Sequence, residues 1–346
     1  LHLSMVHFSQ RPAEEADPLP LERAQLVWIR LISLPEAVAF LQAHVDIFDM
    51  MRLLIQRHFE DRLTAMSFCN TVAAFSSRSE HLSALCGAAG HCELVTRVLE
   101  AYVEFPDVVH WACLAIQHLC NDQRNQMRLA QAGVCRLVPV ALTRHVEVFP
   151  TNSSCGQALV AVARDNQETA AVLGEAGAVA ALMELLVLRL HDPMLATVCC
   201  DVFATLCHGN PREATRLHDA FIGIQIAGIF EAHLVNEGVM REALRVIINL
   251  CEVSSVAQIA ELGRAGLCQA VMSALASHEV SVEVARLVSL AIARLCVHVE
   301  AGNRLRFLDS GARDALNAAR AVHFVAEIDE ALQLVGSAAS VAGPDE

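Results

Sequence analysis

The sequence predicts an all-α protein, an α–α superhelix in which short helices stack as repeats along a solenoid. An Ala-Gly turn or a degenerate copy of it recurs in steps of 43, 44, 46, 43 and 45 residues, at Gly90, Gly133, Gly177, Gly223, Gly266 and Gly311. Between these turns, apolar residues recur every three to four positions, which is helical spacing. No stretch alternates with a period of two for long enough to predict a sheet. A period of about 40–47 residues is typical of helical solenoids.

The periodic part is predicted as one repeat domain over residues 20–336, opened by a helix at 21–33. Residues 1–19 are predicted as a flexible lead-in because they hold prolines and acids, and residues 337–346 as a polar tail. The first unit has His44-Val45-Asp46 where the glycine turn would fall. The predicted units are 34–76, 80–121, 125–164, 167–208, 211–252 and 255–297, with a partial or capping unit at 301–336.

Each unit is predicted to hold two short helices and a longer third one, and in the first unit these are 35–44, 46–58 and 61–75. The later first helices are 80–88, 125–131, 167–175, 211–220, 256–264 and 303–309. The second helices are 92–103, 134–143, 179–190, 224–234, 267–276 and 313–320. The third helices are 107–120, 153–163, 193–207, 239–251, 280–296 and 326–334. Asp192 before Pro193 and Asn210 before Pro211 are typical helix starts, because the acid or amide caps free N–H groups.

The glycine turns are predicted to be structural. A sharp turn between two short helices favours a residue that adopts positive φ and tolerates close backbone approach, and glycine does both. The sequence contains neither the GxGxxG pattern nor the P-loop pattern that would indicate phosphate binding.

Composition and charge exclude several classes of function. All 25 basic residues are arginine, which excludes a Schiff-base lysine and a P-loop lysine, and the net charge of −14 argues against a nucleic-acid-binding surface. No apolar run reaches the roughly 18 residues that a membrane span needs. Because the chain begins at Leu1, lipid anchoring upstream of that residue stays open. Thirteen cysteines predict reduced thiols in a cytoplasmic protein, with a nuclear one as the alternative.

Cysteine and histidine cluster at one point of the chain, at Cys199, Cys200, Cys207 and His208. However, Cys207 occupies the same repeat position as Cys120, Cys251 and Cys296, directly after the last leucine of a third helix, which indicates a packing role. Zinc needs four converging ligands, and no CxxC pair is present. We therefore predict no metal site, no cofactor and no catalytic residue.

The repeat pattern resembles the armadillo repeat: a short helix, Ala-Gly, an apolar helix, and a third helix that ends in Leu followed by a small residue. Residues 129–134, 173–179 and 246–250 carry the resemblance best, and it covers about residues 34–336. The HEAT repeat is a rival, but it has two helices per unit and lacks this glycine turn. The resemblance implies a right-handed superhelix whose third helices line a concave groove that holds extended peptides.

In the nuclear-import branch of that family, each third helix contributes a Trp and an Asn one turn apart to the groove. Alignment on Leu119, Leu206, Leu250 and Leu295 places Leu114, Asp201, Arg245 and Leu290 at the Trp position and His118, Thr205, Asn249 and Arg294 at the Asn position. Only Asn249 matches, so the resemblance does not imply nuclear-signal binding by that mechanism. The eight residues are our predicted partner-binding strip.

The sequence therefore predicts a non-catalytic scaffold or adaptor that binds a protein or peptide segment in the groove. Asn249 would bond the peptide backbone, Arg245 and Arg294 would pair with acidic groups, and Asp201 with a basic one. Two alternatives stay open: a regulatory or autoinhibitory, ligand-sensing arm of a larger multidomain enzyme, and self-association through the apolar terminal unit.

Overall fold

The computed structural model describes residues 34–336, and this part of the chain is helical without a strand. The predicted all-α class is therefore confirmed for these residues, whereas the predicted lead-in, the 21–33 helix and the 337–346 tail lie outside them. The chain divides into two compact units, and the division falls between Ala181 and Leu182, inside a helix.

Unit 1 consists of helix triplets that recur along the chain. Its helices are α1 (Pro35–Ala43), α2 (Asp46–Arg57), α3 (Arg62–Ser76), α4 (Glu80–Ala88), α5 (His91–Ala101), α6 (Pro106–Leu119), α7 (Gln123–Ala132), α8 (Val134–Arg144), α9 (Thr151–Ala163) and α10 (Gln167–Glu175). Helix α11 (Ala178–Arg189) contains the boundary. The third helices α3, α6 and α9 pack side by side in that order.

Unit 2 continues the same order of short, short and long helices. It contains α12 (Pro193–Cys207), α13 (Pro211–Asp219), α14 (Ile222–His233), α15 (Glu237–Val253), α16 (Val256–Arg264), α17 (Leu267–Ser277), α18 (Val282–Cys296), a 3₁₀ turn (Val299–Ala301), α19 (Asn303–Asp309), α20 (Ala312–Val322) and α21 (Ala326–Gly336). The third helices α12, α15, α18 and α21 pack against one another in sequence. This row positions the candidate site.

The helix starts follow from local hydrogen bonding. The Asp192 side chain accepts hydrogen bonds from the amides of Met194 and Leu195, and Asn210 accepts one from Glu213. Pro193 and Pro211 stand in the first turns of α12 and α13, where no intrahelical acceptor is lost. The predicted caps are confirmed.

The recurrent glycines serve the turn through their backbone conformation. Gly133, Gly177, Gly266 and Gly311 all have positive φ, between 75° and 101°, and a Cβ placed on any of them would meet no atom within 4 Å. Positive φ alone therefore selects glycine at these four turns. The expected close backbone approach is not found there.

Gly223 is not a turn residue, and that prediction was wrong. Phe221 takes the left-handed conformation instead, with φ of 59°, and α14 already begins at Ile222, so Gly223 lies inside the helix. With Phe221 in the series, the steps become 43, 44, 44, 45 and 45 residues. The left-handed turn residues are therefore more evenly spaced than the glycines are. At this one turn a phenylalanine takes the place of glycine, in a conformation that L residues disfavour.

Close approach occurs instead at a glycine three residues before the turn. A Cβ on Gly263 would overlap the Asn303 side chain, whose Nδ2 donates to the carbonyls of Ile259 (3.0 Å) and Leu295 (3.2 Å). Gly87 and Asn125 repeat this arrangement in unit 1. A buried amide thus joins the first helix of one repeat to the preceding repeat, and a side chain at the glycine would expel it.

A second junction joins the ends of the second helices. In unit 2, the Nε2 atoms of His233, His278 and His323 lie 2.6, 2.8 and 2.7 Å from the carbonyl oxygens of Leu190, Leu234 and Glu279, respectively. A carbonyl can only accept, so each ring donates from Nε2. In unit 1, Tyr102 and His145 donate in the same way to Phe59 and Val103. These contacts explain several of the 16 histidines.

Within residues 34–336, no single helix is long enough and apolar enough to span a membrane, although the bent pair of α10 and α11 reaches that length and apolarity together.

Candidate functional site

The eight predicted strip residues all lie on third helices, with partly exposed side chains. Leu114 and His118 belong to α6, and the other six belong to α12, α15 and α18. The alignment leucines, Leu119, Leu206, Leu250 and Leu295, are fully buried. The register chosen from the sequence therefore separates the core face from the accessible face, while the binding role of the eight residues stays a prediction.

In unit 2, Asp201 and Arg245 face each other across adjacent third helices. The Arg245 Nη1 atom lies 3.4 Å from Asp201 Oδ1 and also contacts Glu242 on its own helix. The predicted positive and negative positions are therefore neighbours, and each already has a partner within the protein. A ligand charge would have to share or replace these pairs.

The ion pairs continue along the row of third helices. Arg294 Nε lies 3.5 Å from Glu252 on α15, and Arg286 lies 2.8 Å from Glu283 and 3.8 Å from Glu327 on α21. The hydrogen bond from Arg286 lowers the pKa of Glu283. We call the side chains that join α12, α15, α18 and α21 in this way the charged strip: Asp201, Glu242, Arg245, Glu252, Glu283, Arg286, Arg294 and Glu327.

Glu242 is the most enclosed carboxylate of the charged strip, with 18% of its side chain exposed. Desolvation raises the pKa of Glu242, and nearby Asp201 raises it further, whereas Arg245 acts in the opposite direction. An additional cation nearby would stabilise the ionised form of Glu242, because a positive charge would offset both effects that raise its pKa.

The uncharged predicted residues contribute polar and apolar contacts beside the charged strip. Asn249 Nδ2 donates to the Ala204 carbonyl of the neighbouring third helix at 2.9 Å. Thr205 donates to the Asp201 carbonyl within α12, and Leu290 offers a half-buried apolar surface. A primary amide has two N–H groups and an acceptor oxygen, so the contact with Ala204 uses only part of the capacity of Asn249.

The equivalent face of unit 1 is neutral. On α6, Trp111, Leu114 and His118 are partly exposed at helical spacing, and the Trp111 ring lies edge-on to His110. Desolvation lowers the pKa of His118, which favours the neutral imidazole. Trp111 does not occupy the predicted Trp position, but it lies on the same face one turn earlier. On α9, Gln157 alone is partly exposed.

The cysteine cluster is buried. Cys199, Cys200 and Cys207 are inaccessible, and burial raises the pKa of Cys199 and Cys207 to about 12. All thirteen cysteines are unpaired, and no group of three His, Cys, Asp or Glu side chains in residues 34–336 could hold a metal ion. The predicted packing role of Cys207, Cys251 and Cys296 is confirmed by their burial, whereas Cys120 is partly exposed.

Sequence alignment alone missed five members of the charged strip: Glu242, Glu252, Glu283, Arg286 and Glu327. Arg286 stands four residues before Leu290, and Glu252 stands three after Asn249, so both continue an accessible face at helical spacing. Extending the register by one turn in each direction would have identified these two and Glu242. Glu283 lies a further turn away, and Glu327 lies on α21, which the alignment did not include. Their pairing across helices depends on the packing of neighbouring repeats, which residue spacing alone does not reveal.

Comparison with known proteins places the fold. No family profile and no curated protein matches the chain. An engineered protein solved by a structural genomics consortium is 18% identical, with a TM-score of 0.77 over 98% of this chain and 82% of its own. A designed armadillo repeat protein in complex with the peptide (KR)4 is 20% identical, with a TM-score of 0.59 over 68% of this chain and 94% of its own.

A computationally designed armadillo repeat protein for modular peptide recognition is 19% identical, with a TM-score of 0.58 over 73% of this chain and 99% of its own. These similarities confirm the predicted armadillo-like helical repeat fold. At this level of identity they show the fold alone.

Proposed function

We propose that this chain is a non-catalytic scaffold that binds an extended peptide segment of a partner protein along the charged strip of unit 2. The observation that carries the proposal is the row of four packed third helices, which presents polar side chains in register. Packed helices are about 8–10 Å apart, and an extended peptide advances about 3.3 Å per residue. Each third helix would therefore meet about every third residue of the ligand.

The charges of the strip favour a basic ligand. Its ion pairs contain five carboxylates, on Asp201, Glu242, Glu252, Glu283 and Glu327, but only three arginines, Arg245, Arg286 and Arg294. An acidic ligand would have to displace carboxylates from these arginines, whereas a basic one would add cations where carboxylates are in excess. The structurally similar designed protein bound to (KR)4 supports the same sign of charge.

Asn249 would contribute a backbone contact. Its side chain is held by Ala204 and lies next to Arg245 in the register, so its remaining amide groups would hydrogen-bond the peptide main chain. The thirteen unpaired thiols support a reducing compartment such as the cytoplasm.

The test uses two labelled peptides, (KR)4 and an alternating Asp–Glu peptide of the same length, with binding measured by fluorescence anisotropy. We expect (KR)4 to bind, and the double variant Asp201→Asn with Glu242→Gln to weaken that binding by about tenfold, because two charge-assisted contacts are lost. Glu231→Gln is the matched control, since this exposed residue on the second helix α14 lies outside the strip.

The proposal fails if the acidic peptide binds as well as (KR)4, or if the control weakens binding as much as the double variant. A second double variant, Arg245→Ala with Asn249→Ala, checks the predicted register. Unchanged affinity in that variant would show that the peptide does not follow these positions.

A further inference from the structure

The last two second helices of unit 2 form a groove away from the charged strip. Leu275 and Ala276 of α17 face Ala318 and Ala319 of α20 across a cavity of about 210 Å³. We call it the terminal groove. Because its walls are mostly alanine, a large apolar side chain can enter and approach the helix backbones closely.

Protruding apolar side chains stand at one end of this groove. Val322 lines the end and is 63% exposed, Phe324 is fully exposed, and Val280 is 90% exposed. His323 fixes their positions, because its ring donates to the Glu279 carbonyl at 2.7 Å and joins the two turns. A fully exposed phenylalanine beside an alanine-lined groove provides a projection and a cavity on the same surface.

The terminal groove and the protruding residues also differ in the charge of the side chains beside them. Glu279 lines the groove, and its carboxylate forms no ion pair with an arginine within residues 34–336. Arg320 stands two residues before Val322, and within residues 34–336 its ion pair is a 3.4 Å contact with Asp329, in which both side chains are more than half exposed. Such an exposed pair contributes little and exchanges partners readily. The groove therefore carries an anion, and the projection carries a cation.

We propose that the terminal groove binds a second copy of this chain in a two-fold symmetric dimer. Phe324 of each copy occupies the groove of the other, and Arg320 of each copy pairs with Glu279 of the other. A two-fold interface requires one patch that is complementary to itself, and this patch has both a matching shape and matching charge. Other occupants fit less well: the acidic end of the tail, Asp345 and Glu346, would bring like charges to Glu279.

The outer positions of α21 do not offer a competing apolar interface. Asp329, Glu330 and Gln333 are exposed there, so the described end of the solenoid presents polar side chains. Self-association is thereby directed to the second-helix face. This dimer does not depend on the proposed peptide site, which uses third helices.

The test is sedimentation velocity on the full chain from about 1 µM to about 100 µM, a range suited to a modest interface. We expect the mass to rise from monomer towards dimer. Phe324→Asp and Ala318→Glu should each shift the midpoint by at least about tenfold, because one removes the projection and the other fills the groove. Val235→Asp is the matched control, since Val235 is 87% exposed at the turn after α14 and does not line the terminal groove.

A charge exchange tests the pairing. Glu279→Arg alone and Arg320→Glu alone should each weaken the dimer, and the double variant should restore it, because every pair is again opposite in charge. Binding of (KR)4 should be unchanged in all of these variants. A monomer mass at every concentration, a dimer that persists in Phe324→Asp, or a double variant weaker than both single variants overturns the proposal.

Discussion

The third helices of the two units have the same position in the repeat but opposite chemistry. In α3, α6 and α9 of unit 1, Arg62 and Asp107 are the charged residues, and they pair with each other at 3.1 Å. In α12, α15, α18 and α21 of unit 2 there are twelve charged residues, eight of which form the charged strip. The core faces differ as well: unit 1 buries Thr, Ser and Asn side chains on α3 and α9, whereas Ser289 is the buried polar side chain on the third helices of unit 2. The repeat thus fixes which side chains are accessible, and leaves their chemistry free to differ.

The largest expected effect tests whether the same glycine–asparagine junction stabilises the repeats of both units. Gly87→Ala and Gly263→Ala should each lower the free energy of unfolding by about 2–3 kcal/mol, because the new methyl group expels Asn125 or Asn303 from its buried hydrogen bonds. Urea unfolding measures both. Gly133→Ala is the control and should cost about 1 kcal/mol, since only its positive φ is disfavoured. Unequal losses at Gly87 and Gly263 would mean that the units do not share this junction.

Acid should affect unit 1 most strongly through His91, which is more deeply buried than His58, His110 and His118, the other histidines of this unit whose pKa is lowered by desolvation. His91 is fully buried, donates to the Phe48 carbonyl at 2.9 Å, and desolvation lowers its pKa from 6.5 to about 4. Below pH 6.5 the unfolded chain takes up a proton that the folded chain does not, so stability falls as the pH drops from 6.5 towards 4. Between pH 7.5 and pH 5 the loss should be roughly 2 kcal/mol.

Urea unfolding at both pH values measures this loss. His91→Gln keeps a donor of similar size and does not titrate, so its loss on acidification should be smaller by that amount. An equal pH dependence in the two proteins would contradict the assignment.

The turn at Phe221 should be improved by the residue that the other turns use. Phe221→Gly should raise the free energy of unfolding by about 1 kcal/mol, because the left-handed strain is relieved and a side chain that is 63% exposed loses little packing. Thermal unfolding compares it with Gly266→Ala, which should shift the melting temperature in the opposite direction. A lower melting temperature for Phe221→Gly would mean that this side chain stabilises the turn.

The smallest effect concerns the ion pairs themselves. Arg245→Met in unit 2 and Arg62→Met in unit 1 each remove one arginine that is 43% exposed and bridges neighbouring third helices. Each change should lower stability by less than about 1 kcal/mol, because exposed pairs are screened by solvent. Chemical denaturation at low and high salt measures this. A larger loss at Arg245 alone would indicate that the charged strip serves the fold rather than a ligand.

The sequence predicted the helices well because their signals are local. Caps such as Asp192 with Pro193 are formed by neighbouring residues, and the apolar spacing of each helix reports its own buried face. The glycine series identified five turns, but it failed at Phe221, where the same backbone conformation is adopted by a residue that gives no signal.

The candidate site was less predictable because its chemistry arises between helices. The alignment gave the correct face for Arg245 and Asn249 but assigned both to a ligand, whereas each already contacts the preceding third helix. Such contacts join residues 44 and 45 positions apart. Repeat register brings these positions together, yet spacing alone does not tell which pairs of side chains will meet.

The hydrogen bonds that end the second helices give the array a direction. Within unit 2, His233, His278 and His323 each reach back to a carbonyl of the preceding repeat, and each of these repeats therefore holds the one before it. If unit 2 were shortened by its last repeat, the Glu279 carbonyl would lose its donor, whereas removal of the residues up to Leu190 would leave His233 without its acceptor. Whole repeats can therefore be exchanged or inserted as modules only if each new one carries a donor at this position and offers a carbonyl to the next. The repeats of unit 2 therefore have a fixed direction. Their number can change without redesign of the junctions as long as each repeat keeps this donor and this carbonyl.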